Sequence, residues 1–254
     1  MSYHEVAVEK LRTWRWKPYA FVEDVFGVKP DAWQRTVLER FPYEPRIALL
    51  ACKGPGKTAL EAWLAWNFLL TRPHPKVACT AITADNLADN MWTELAKWQK
   101  RSDMLQALFT WTKTRVFLNE HPETWWCSAR TWSRSASPEQ QADTLAGLHA
   151  DYLLFILDES GGIPDAVMVA AEAGLANVVD PTKQEAHILQ GGNPTMLEGP
   201  LYRAAVRDRK HWFVVEITAD PDDPNRTPRV SVEWARQQIE TYGRDNPWVL
   251  VNVF

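Results

Sequence analysis

The sequence predicts an α/β fold in which a mainly parallel sheet is flanked by helices. Short apolar runs that are typical of buried strands alternate along the chain with longer segments whose apolar residues have helical spacing. A loop with two glycines follows the first apolar run, and a pair of acidic residues follows another. Strands separated by helices favour parallel pairing, because each helix returns the chain to the same edge of the sheet.

The composition is typical of an intracellular globular protein with one main domain. The chain has 254 residues, 46% of them hydrophobic, and a net charge of −4, so no excess of positive charge indicates a polyanionic partner. The three cysteines are widely spaced, and neither they nor the six histidines have the spacing of metal ligands. The N-terminus is rich in charges, and no apolar run is long enough to span a bilayer. We therefore expect a reducing compartment, no structural metal and no membrane association.

The first elements follow one another in an order that fits this fold. Residues 1–45 have apolar residues at helical spacing and predict one or two helices that end in a loop. The apolar run 46–50 predicts a strand, and the segment 59–70 predicts the helix after the glycine-containing loop. Residues 76–83 predict a second buried strand, followed by a helix that Asp85 would cap.

The second half of the chain continues the alternation. Two stretches of alternating polarity within residues 113–130 suggest a hairpin-like insertion or extra strands. The run Leu153–Leu157 is continuously apolar, as in a central strand covered on both faces. The remaining predicted segments are strands at 187–190 and 211–217, a Pro/Asp-rich loop at 219–229 and a helix at 232–242.

The loop after the first strand has the composition of a phosphate-binding loop. Such a loop needs small residues whose N–H groups wrap the phosphates, a lysine that reaches the β- and γ-phosphates, and a hydroxyl for Mg²⁺. The sequence departs from the pattern Gly-x-x-x-x-Gly-Lys-Ser/Thr only at its first residue, where alanine replaces glycine. The chain is therefore predicted to be a P-loop NTPase of the RecA-like kind. The residues predicted to bind ATP here are Ala51, Cys52, Lys53, Gly54, Pro55, Gly56, Lys57 and Thr58, of which Thr58 would also bind Mg²⁺.

A pair of acidic residues supplies the second part of a hydrolytic site. Asp158 and Glu159 directly follow the apolar run at 153–157. An aspartate at the carboxyl end of a neighbouring strand is positioned to hold Mg²⁺, and a glutamate beside it to activate the attacking water. We therefore expect Asp158 to be a metal ligand and Glu159 and Lys57 to be catalytic.

Two amide side chains are candidates for contact with the nucleotide, and each has a simpler interpretation. Asn193 lies in Gly-Gly-Asn-Pro-Thr after the strand at 187–190, where it would sense the γ-phosphate or belong to an ordinary turn. Gln34 precedes the first strand, where its amide would bind the adenine edge or face solvent on a helix. The sequence leaves both alternatives open.

Charge that develops on the phosphates during hydrolysis calls for an additional cation. Lys53 is a candidate within the loop itself, and Arg130 and Arg134 are candidates for donation to a neighbouring subunit, although loop arginines are mostly solvated. Two basic clusters, at 97–101 and 203–210, would contact a phosphate backbone or form solvated faces.

The order of these motifs resembles the ATPase domain of the large terminase of tailed bacteriophages, the motor that drives DNA into a procapsid. The likeness extends from about residue 34 to residue 195 and is strongest in DESGGIP and GGNPT. Lys53 falls where several relatives carry a loop arginine. The resemblance implies that Lys57 and Thr58 are the Walker A residues, Asp158 the Walker B aspartate, Glu159 the catalytic glutamate and 193–195 the coupling motif.

The resemblance also implies partners and a domain arrangement. A large terminase works on double-stranded DNA in the host cell cytoplasm, together with a portal protein and a small terminase subunit. It does so in a homo-oligomeric ring, which is a pentamer by family resemblance, while the isolated chain would be a monomer. We expect an N-terminal helical segment at 1–45, the ATPase core at 46–200, and the last core strand with a small lid at 201–254. The residues after Asn193 are too few for the RNase H-like nuclease domain of the family, so we expect neither that domain nor nuclease activity in this chain.

Two other functions remain open from the sequence. A helicase-like RecA-fold translocase also has this loop and an upstream glutamine, but it requires a second RecA-like domain. A nucleotide-binding assembly module that does not hydrolyse ATP would not need Glu159.

Overall fold

An eight-stranded sheet with helices on both faces organises the chain, and the computed structural model describes residues 3–133 and 135–254. The sheet order is β3-β4-β5-β2-β6-β7-β1-β8. The described strands are β1 (Arg46–Ala51), β2 (Lys76–Thr80), β3 (Phe109–Trp111), β4 (Arg115–Leu118), β5 (Trp126–Ala129), β6 (Tyr152–Leu157), β7 (Glu185–Gly192) and β8 (Phe213–Ile217).

Pairing is parallel across the six strands from β5 to β8, so their carboxyl ends lie at one edge of the sheet. Only β4 runs the other way among the described strands, pairing antiparallel with β3 and with β5. The prediction of a mainly parallel α/β sheet is confirmed. The stretches within 113–130 form a hairpin, β4–β5, whose second strand joins the main sheet beside β2.

Helices cover both faces of the sheet. The described α-helices are α1 (Tyr3–Trp16), α2 (Pro18–Phe26), α3 (Ala32–Arg40), α4 (Lys57–Thr71), α5 (Ala84–Asn86), α6 (Thr93–Gln99), α7 (Asp103–Leu108), α8 (Pro138–Ala142), α9 (Asp165–Leu175), α10 (Gly199–Tyr202), α11 (Val232–Tyr242) and α12 (Pro247–Asn252). A π-helical turn, Leu87–Trp92, joins α5 to α6, and another, Arg203–Arg207, continues α10. Among the described residues, no helix is both long and apolar enough to cross a membrane.

The core is divided between the two faces of the sheet. Along β6, Leu154 and Ile156 join a cluster that contains the buried face of α4, whereas Phe155 and Leu157 pack with α9 on the other face. Helix α4 contains neither glycine nor proline and ends at residue 71. The next residue, Arg72, directly precedes a proline, and a residue in that position disfavours helical backbone. This central helix fixes the loop that precedes it.

Several predicted boundaries are corrected by the structure. Within the described residues 3–45 there are three α-helices rather than one or two, because Pro18 starts α2 and Gly27, at φ 64°, ends it. Strand β2 ends at Thr80 instead of residue 83, and Thr83 rather than Asp85 caps α5, since its hydroxyl accepts the Asn86 N–H. Strand β8 begins at residue 213 because residues 209–211 form a 3₁₀ turn.

The end of β8 and the segment after it pack against the start of the phosphate-binding loop. Cys52 N–H donates to the Ile217 carbonyl at 2.8 Å, and Lys53 N–H donates to the Asn252 carbonyl at 3.0 Å. Val230, from the segment after β8, packs with Cys52 in a small apolar cluster. The predicted division of the chain at residues 45 and 200 stays a prediction.

Candidate nucleotide-binding and hydrolytic site

The predicted phosphate-binding loop connects β1 to α4, as the sequence pattern requires. Gly54 and Gly56 have φ of 72° and 94°, a left-handed backbone that favours glycine. Ala51 is the last residue of β1 and lies opposite Ile217 in the parallel pair with β8. An extended strand residue has no need of glycine, which explains why alanine is tolerated at the first position of the loop.

Lys57, the first residue of α4, lies beside the acidic pair. It is 6% exposed, and its Nζ donates to Glu159 Oε1 at 3.1 Å. Burial by itself lowers the pKa of Lys57, but the charges of Glu159, Asp158 and Glu61 outweigh it, so the pKa is raised overall. The lysine is therefore a buried cation that needs an anionic partner.

Asp158 and Glu159 follow β6 at the edge where the parallel strands end. Asp158 is 2% exposed, its N–H donates to the Thr80 carbonyl at 2.9 Å, and its Oδ1 accepts the Glu159 N–H at 2.9 Å. Burial, and then the charge of Glu159, raise the pKa of Asp158 to about 6, while Lys57 acts in the opposite direction.

Glu159 has a strained backbone. Its φ of 51° places it in the left-handed region, which costs a non-glycine residue on the order of 1 kcal/mol or more. The conformation turns the chain directly into the 3₁₀ helix Ser160–Gly162 and places the side chain next to Lys57. Strain of this kind is typical of functional positions.

The segment Gly191–Thr195 is tied to the loop rather than being a plain turn. Gly191 and Gly192 are the last residues of β7. A Cβ at Gly191 would lie 3.2 Å from Glu61 Oε1, and one at Gly192 would lie 3.3 Å from the Ser160 backbone nitrogen. The glycines therefore permit close packing under the site. Asn193 Nδ2 donates to the Ala51 carbonyl at 2.9 Å, which joins the end of β7 to the start of the loop.

A cavity of about 510 Å³ opens over the loop. It brings together the loop, the acidic pair and Asn193, all of which the sequence predicted. One wall of the cavity comes from the helical segment of residues 90–98, which the sequence did not predict. The lining residues are Lys53, Gly54, Pro55, Gly56, Lys57, Thr58, Ala59, Asn90, Glu94, Lys97, Trp98, Asp158, Glu159, Asn193 and Arg229.

The residues of the loop suit Mg²⁺ and a polyphosphate. Thr58 and Asp158 line the same cavity and offer a hydroxyl and a carboxylate, the hard oxygen ligands that Mg²⁺ prefers. The backbone of residues 54–58 leads into the N-terminus of α4, which favours anions. Burial raises the pKa of the Cys52 thiol to about 11, so this residue contributes its backbone and apolar bulk rather than a thiolate.

Gln34 is fully buried, so its interpretation as a solvent-exposed helix residue is wrong. Its Oε1 accepts the Asp31 N–H at 3.0 Å and its Nε2 donates to the Gly56 carbonyl at 3.2 Å. In the structure this amide braces the phosphate-binding loop from the N-terminal helices. Binding of the adenine edge by Gln34 stays a prediction.

The candidate arginines for a neighbouring subunit lie away from the cavity or outside the described residues. Arg130, just beyond β5, donates to Ser128 Oγ at 3.0 Å, and burial followed by the charge of Arg115 lowers its pKa. Arg134 lies outside the described residues. Lys53 lines the cavity, so its cis role stays a prediction.

The two basic clusters are partly paired with acids. Lys97 donates to Glu94 and lines the cavity over the loop, and Arg203 and Arg209 pair with Asp165 and Glu216 at 2.9 and 3.0 Å. Contact with a DNA backbone stays a prediction for both clusters.

Besides the wall at residues 90–98, two further residues of the site were not predicted from the sequence. Arg229 reaches the cavity from the Pro/Asp-rich loop, and Glu61 lies buried beneath the loop on α4. For Glu61, an acidic residue in an otherwise apolar helix is a detectable signal. For Arg229, the local sequence contains none.

Comparison with known proteins supports the predicted resemblance. None of the known protein-family profiles matches this chain. The "Probable terminase, large subunit" of Enterobacteria phage P7 is 24% identical over 259 residues, which cover 96% of this chain and 49% of that protein. The chain thus spans about half the length of the curated relative it matches.

Solved structures with the same fold include several large terminases. The HK97 bacteriophage large terminase has a TM-score of 0.66 at 17% identity and covers 93% of this chain and 54% of its own. A large terminase from a thermophilic bacteriophage, solved in complex with ADP, has a TM-score of 0.62 at 14% identity, over 88% of this chain and 52% of that one. The ATPase domain of the Thermus phage P74-26 large terminase has a TM-score of 0.59 at 17% identity, over 93% of this chain and 97% of that one. The fold is therefore that of large terminase ATPase domains, and the predicted P-loop NTPase fold is confirmed.

Proposed function

We propose that this chain is the ATPase domain of a phage large terminase, which hydrolyses ATP to drive double-stranded DNA into a procapsid. The observation that carries the proposal is the contact of Lys57 with Glu159 across the loop cavity, beside the buried Asp158. The sequence relative over nearly the whole chain, and the ADP complex of a protein with the same fold, support ATP as the substrate.

The side chains of the site suit hydrolysis by an activated water. Lys57 and the N–H groups of the loop bind the β- and γ-phosphates, and a phosphate there competes with Glu159 for Lys57. Release from the lysine leaves the Glu159 carboxylate available to accept a proton from water. Thr58 and Asp158 would hold Mg²⁺, which supplies charge stabilisation on the phosphates when bound.

Coupling to DNA movement is assigned to Asn193. Its hydrogen bond to Ala51 joins the strand next to the acidic pair to the start of the phosphate-binding loop. A change in phosphate occupancy is thereby transmitted to the end of β7. Lys53, Arg130 and Arg134 remain the candidates for the additional cation, the two arginines acting on a neighbouring subunit of a ring.

The wider assembly follows from the same proposal. The partners are double-stranded DNA, a portal protein and a small terminase subunit, the assembled form is a homo-oligomeric ring, and the compartment is the host cytoplasm. A nuclease activity is not assigned to these residues.

Steady-state ATP hydrolysis with and without Mg²⁺ tests the proposal. We expect Glu159→Gln to retain ATP binding and to lower kcat by about 100-fold or more, the usual contribution of a general base. Glu240→Gln, which alters an exposed residue of α11, is the matched control and should hydrolyse ATP at the wild-type rate.

The outcomes also separate the competing functions. If wild type and Glu159→Gln both bind ATP and neither hydrolyses it at any protein concentration, the chain is a non-hydrolysing module and the proposal fails. Stimulation by single-stranded but not by duplex DNA would favour a helicase-like translocase. A specific rate that rises with protein concentration would support arginines donated between subunits.

A further inference from the structure

Arg229 lies over the phosphate-binding loop, although it belongs to the segment after β8. Its Nε donates to Asp31 Oδ2 at 2.5 Å, and one Nη lies 3.5 Å from Gln34 Oε1. Its side chain lines the same cavity as Lys57 and Glu159. Three separate parts of the chain therefore meet at this guanidinium: the start of α3, the loop and the C-terminal segment.

The side chain of Arg229 packs on Gly56, the glycine directly before Lys57. A Cβ on Gly56 would lie 3.0 Å from Arg229 Cδ and 3.1 Å from its Nε. The N–H groups of this part of the loop face the site of the phosphates. The guanidinium therefore lies beside the loop that would hold a polyphosphate, in the same cavity as Lys57.

The backbone of Arg229 is held firmly. Thr227, two residues earlier, is fully buried and donates its N–H to the Thr218 carbonyl at 2.8 Å, and its hydroxyl accepts the Arg229 N–H at 3.3 Å. On the other side, Val230 is buried against Cys52. The chain thus fixes the base of the side chain and leaves its charged end at the cavity.

The partners of the guanidinium leave it available to a stronger anion. The Arg229 side chain is 36% exposed, and among the described residues its second Nη makes no hydrogen bond. A partly exposed ion pair with a single carboxylate is a weak interaction. A polyphosphate carries more charge and accepts two parallel N–H bonds from a guanidinium, so it is the better partner.

We propose that Arg229 binds the polyphosphate of the nucleotide in cis, and that Asp31 and Gln34 hold its guanidinium when it is not so engaged. The inference rests on the proposed function, since it requires a nucleoside triphosphate in the loop. It adds a cation from the C-terminal segment to the Walker residues. It also connects nucleotide occupancy to that segment, because Arg229 exchanges Asp31 for the nucleotide.

Two substitutions that break the same ion pair distinguish this role from a structural one. Arg229→Gln removes the cation, and we expect it to weaken ATP binding by about tenfold or more, the effect of losing a charge-assisted hydrogen bond. Asp31→Asn removes the competing carboxylate while keeping a residue that caps helix α3 equally well. We expect Asp31→Asn to bind ATP as tightly as wild type or more tightly.

The measurement is the Kd for ATP and for ADP by fluorescence titration, with the unfolding midpoint of each variant as a check on folding. Arg244→Gln breaks an ion pair with Asp220 in the same segment, away from the cavity, and should leave both Kd values unchanged. Arg229→Lys should recover part of the affinity because it restores the charge.

Either of two results would overturn the inference. One is an Arg229→Gln variant that binds ATP like wild type. The other is equal weakening by Arg229→Gln and Asp31→Asn, which is the behaviour of an ion pair that only holds the segment in place. Failure of the wild-type chain to bind ATP would instead contradict the proposed function, so the two failures can be told apart.

Discussion

Glu61 provides a test of how the fold tolerates an ionisable group beneath the candidate site. This residue of α4 is fully buried, and neither carboxylate oxygen has a hydrogen-bond partner among the residues that the structure describes. Burial, and then the negative charge of Asp158, raise the pKa of Glu61 well above 4.5, although Lys57 acts in the opposite direction. The folded protein therefore retains a proton on Glu61 that the unfolded chain loses.

The sign of the pH effect on stability follows from this difference. Above about pH 4.5 the unfolded chain releases the Glu61 proton and the folded state does not, so this residue destabilises the fold increasingly as the pH rises. The limiting slope for one proton is about 1.4 kcal/mol of unfolding free energy per pH unit. It continues until the pH reaches the raised pKa of the folded state.

Glu61→Gln removes the ionisation and keeps the shape of the protonated acid. The variant should therefore gain stability relative to wild type by up to about 1.4 kcal/mol for each pH unit above about 4.5. Urea unfolding followed by tryptophan fluorescence at pH values from about 4.5 to about 7.5 measures the difference. Asp158 titrates in both proteins, so its direct contribution largely cancels.

A difference in unfolding free energy that does not change with pH would refute this reasoning. So would a variant that loses stability relative to wild type as the pH rises, since that would mean that ionised Glu61 stabilises the fold through Lys57. Glu240→Gln on the exposed surface should show almost no pH-dependent difference from wild type.

Two further predictions concern a buried ion pair of the fold and the proposed Mg²⁺ site. Arg72 has a fully buried side chain that donates two hydrogen bonds to Glu185. Glu185→Ala leaves this buried charge without its partner and should lower the free energy of unfolding by about 3 to 5 kcal/mol, as measured by chemical unfolding. A loss below about 1 kcal/mol would mean that water reaches the arginine. Asp158, the proposed Mg²⁺ ligand, has its pKa raised to about 6, and a metal ligand must be deprotonated. Mg²⁺-dependent ATP binding should therefore strengthen by up to about tenfold for each pH unit as the pH rises towards about 6, and it should level off above that pH. Isothermal titration across this range measures the effect, and Asp158→Asn should bind weakly at every pH; an unchanged pH profile in that variant would assign the titration to another group.

The predictions that succeeded rest on strong local patterns. Buried parallel strands are apolar throughout, so β1 and β6 are visible in the sequence as continuous apolar runs. The carboxyl ends of parallel strands meet at one edge, which is why the sequence alone places residues as distant along the chain as Lys57 and Glu159 together.

Strand pairing and helix boundaries were harder to predict. Alternating polarity identified β4 and β5 as strands, but it does not specify partners, and the position of β5 beside β2 depends on contacts between distant residues. Thr83 and Asp85 are both good cap residues, and only the turn geometry selects Thr83.

The missed parts of the site depend on long-range contacts. Arg229 and Asp31 are separated by 198 residues, and no periodicity or spacing connects them. The role of Gln34 was only partly predictable, because its distance from the loop depends on how α3 packs. The glycines at 191 and 192 have the composition of a turn, whereas the structure uses them for close packing beside Glu61 and Glu159.

The hydrogen bond from Lys53 N–H to the Asn252 carbonyl has a consequence for biosynthesis. Residues near the N-terminus leave the ribosome first, and domains tend to fold as units during translation. The phosphate-binding loop is translated early, but this contact forms only after residue 252 has cleared the exit tunnel. A nascent chain that carries every Walker residue therefore still lacks one support of its loop, so full affinity for nucleotide should develop late in translation.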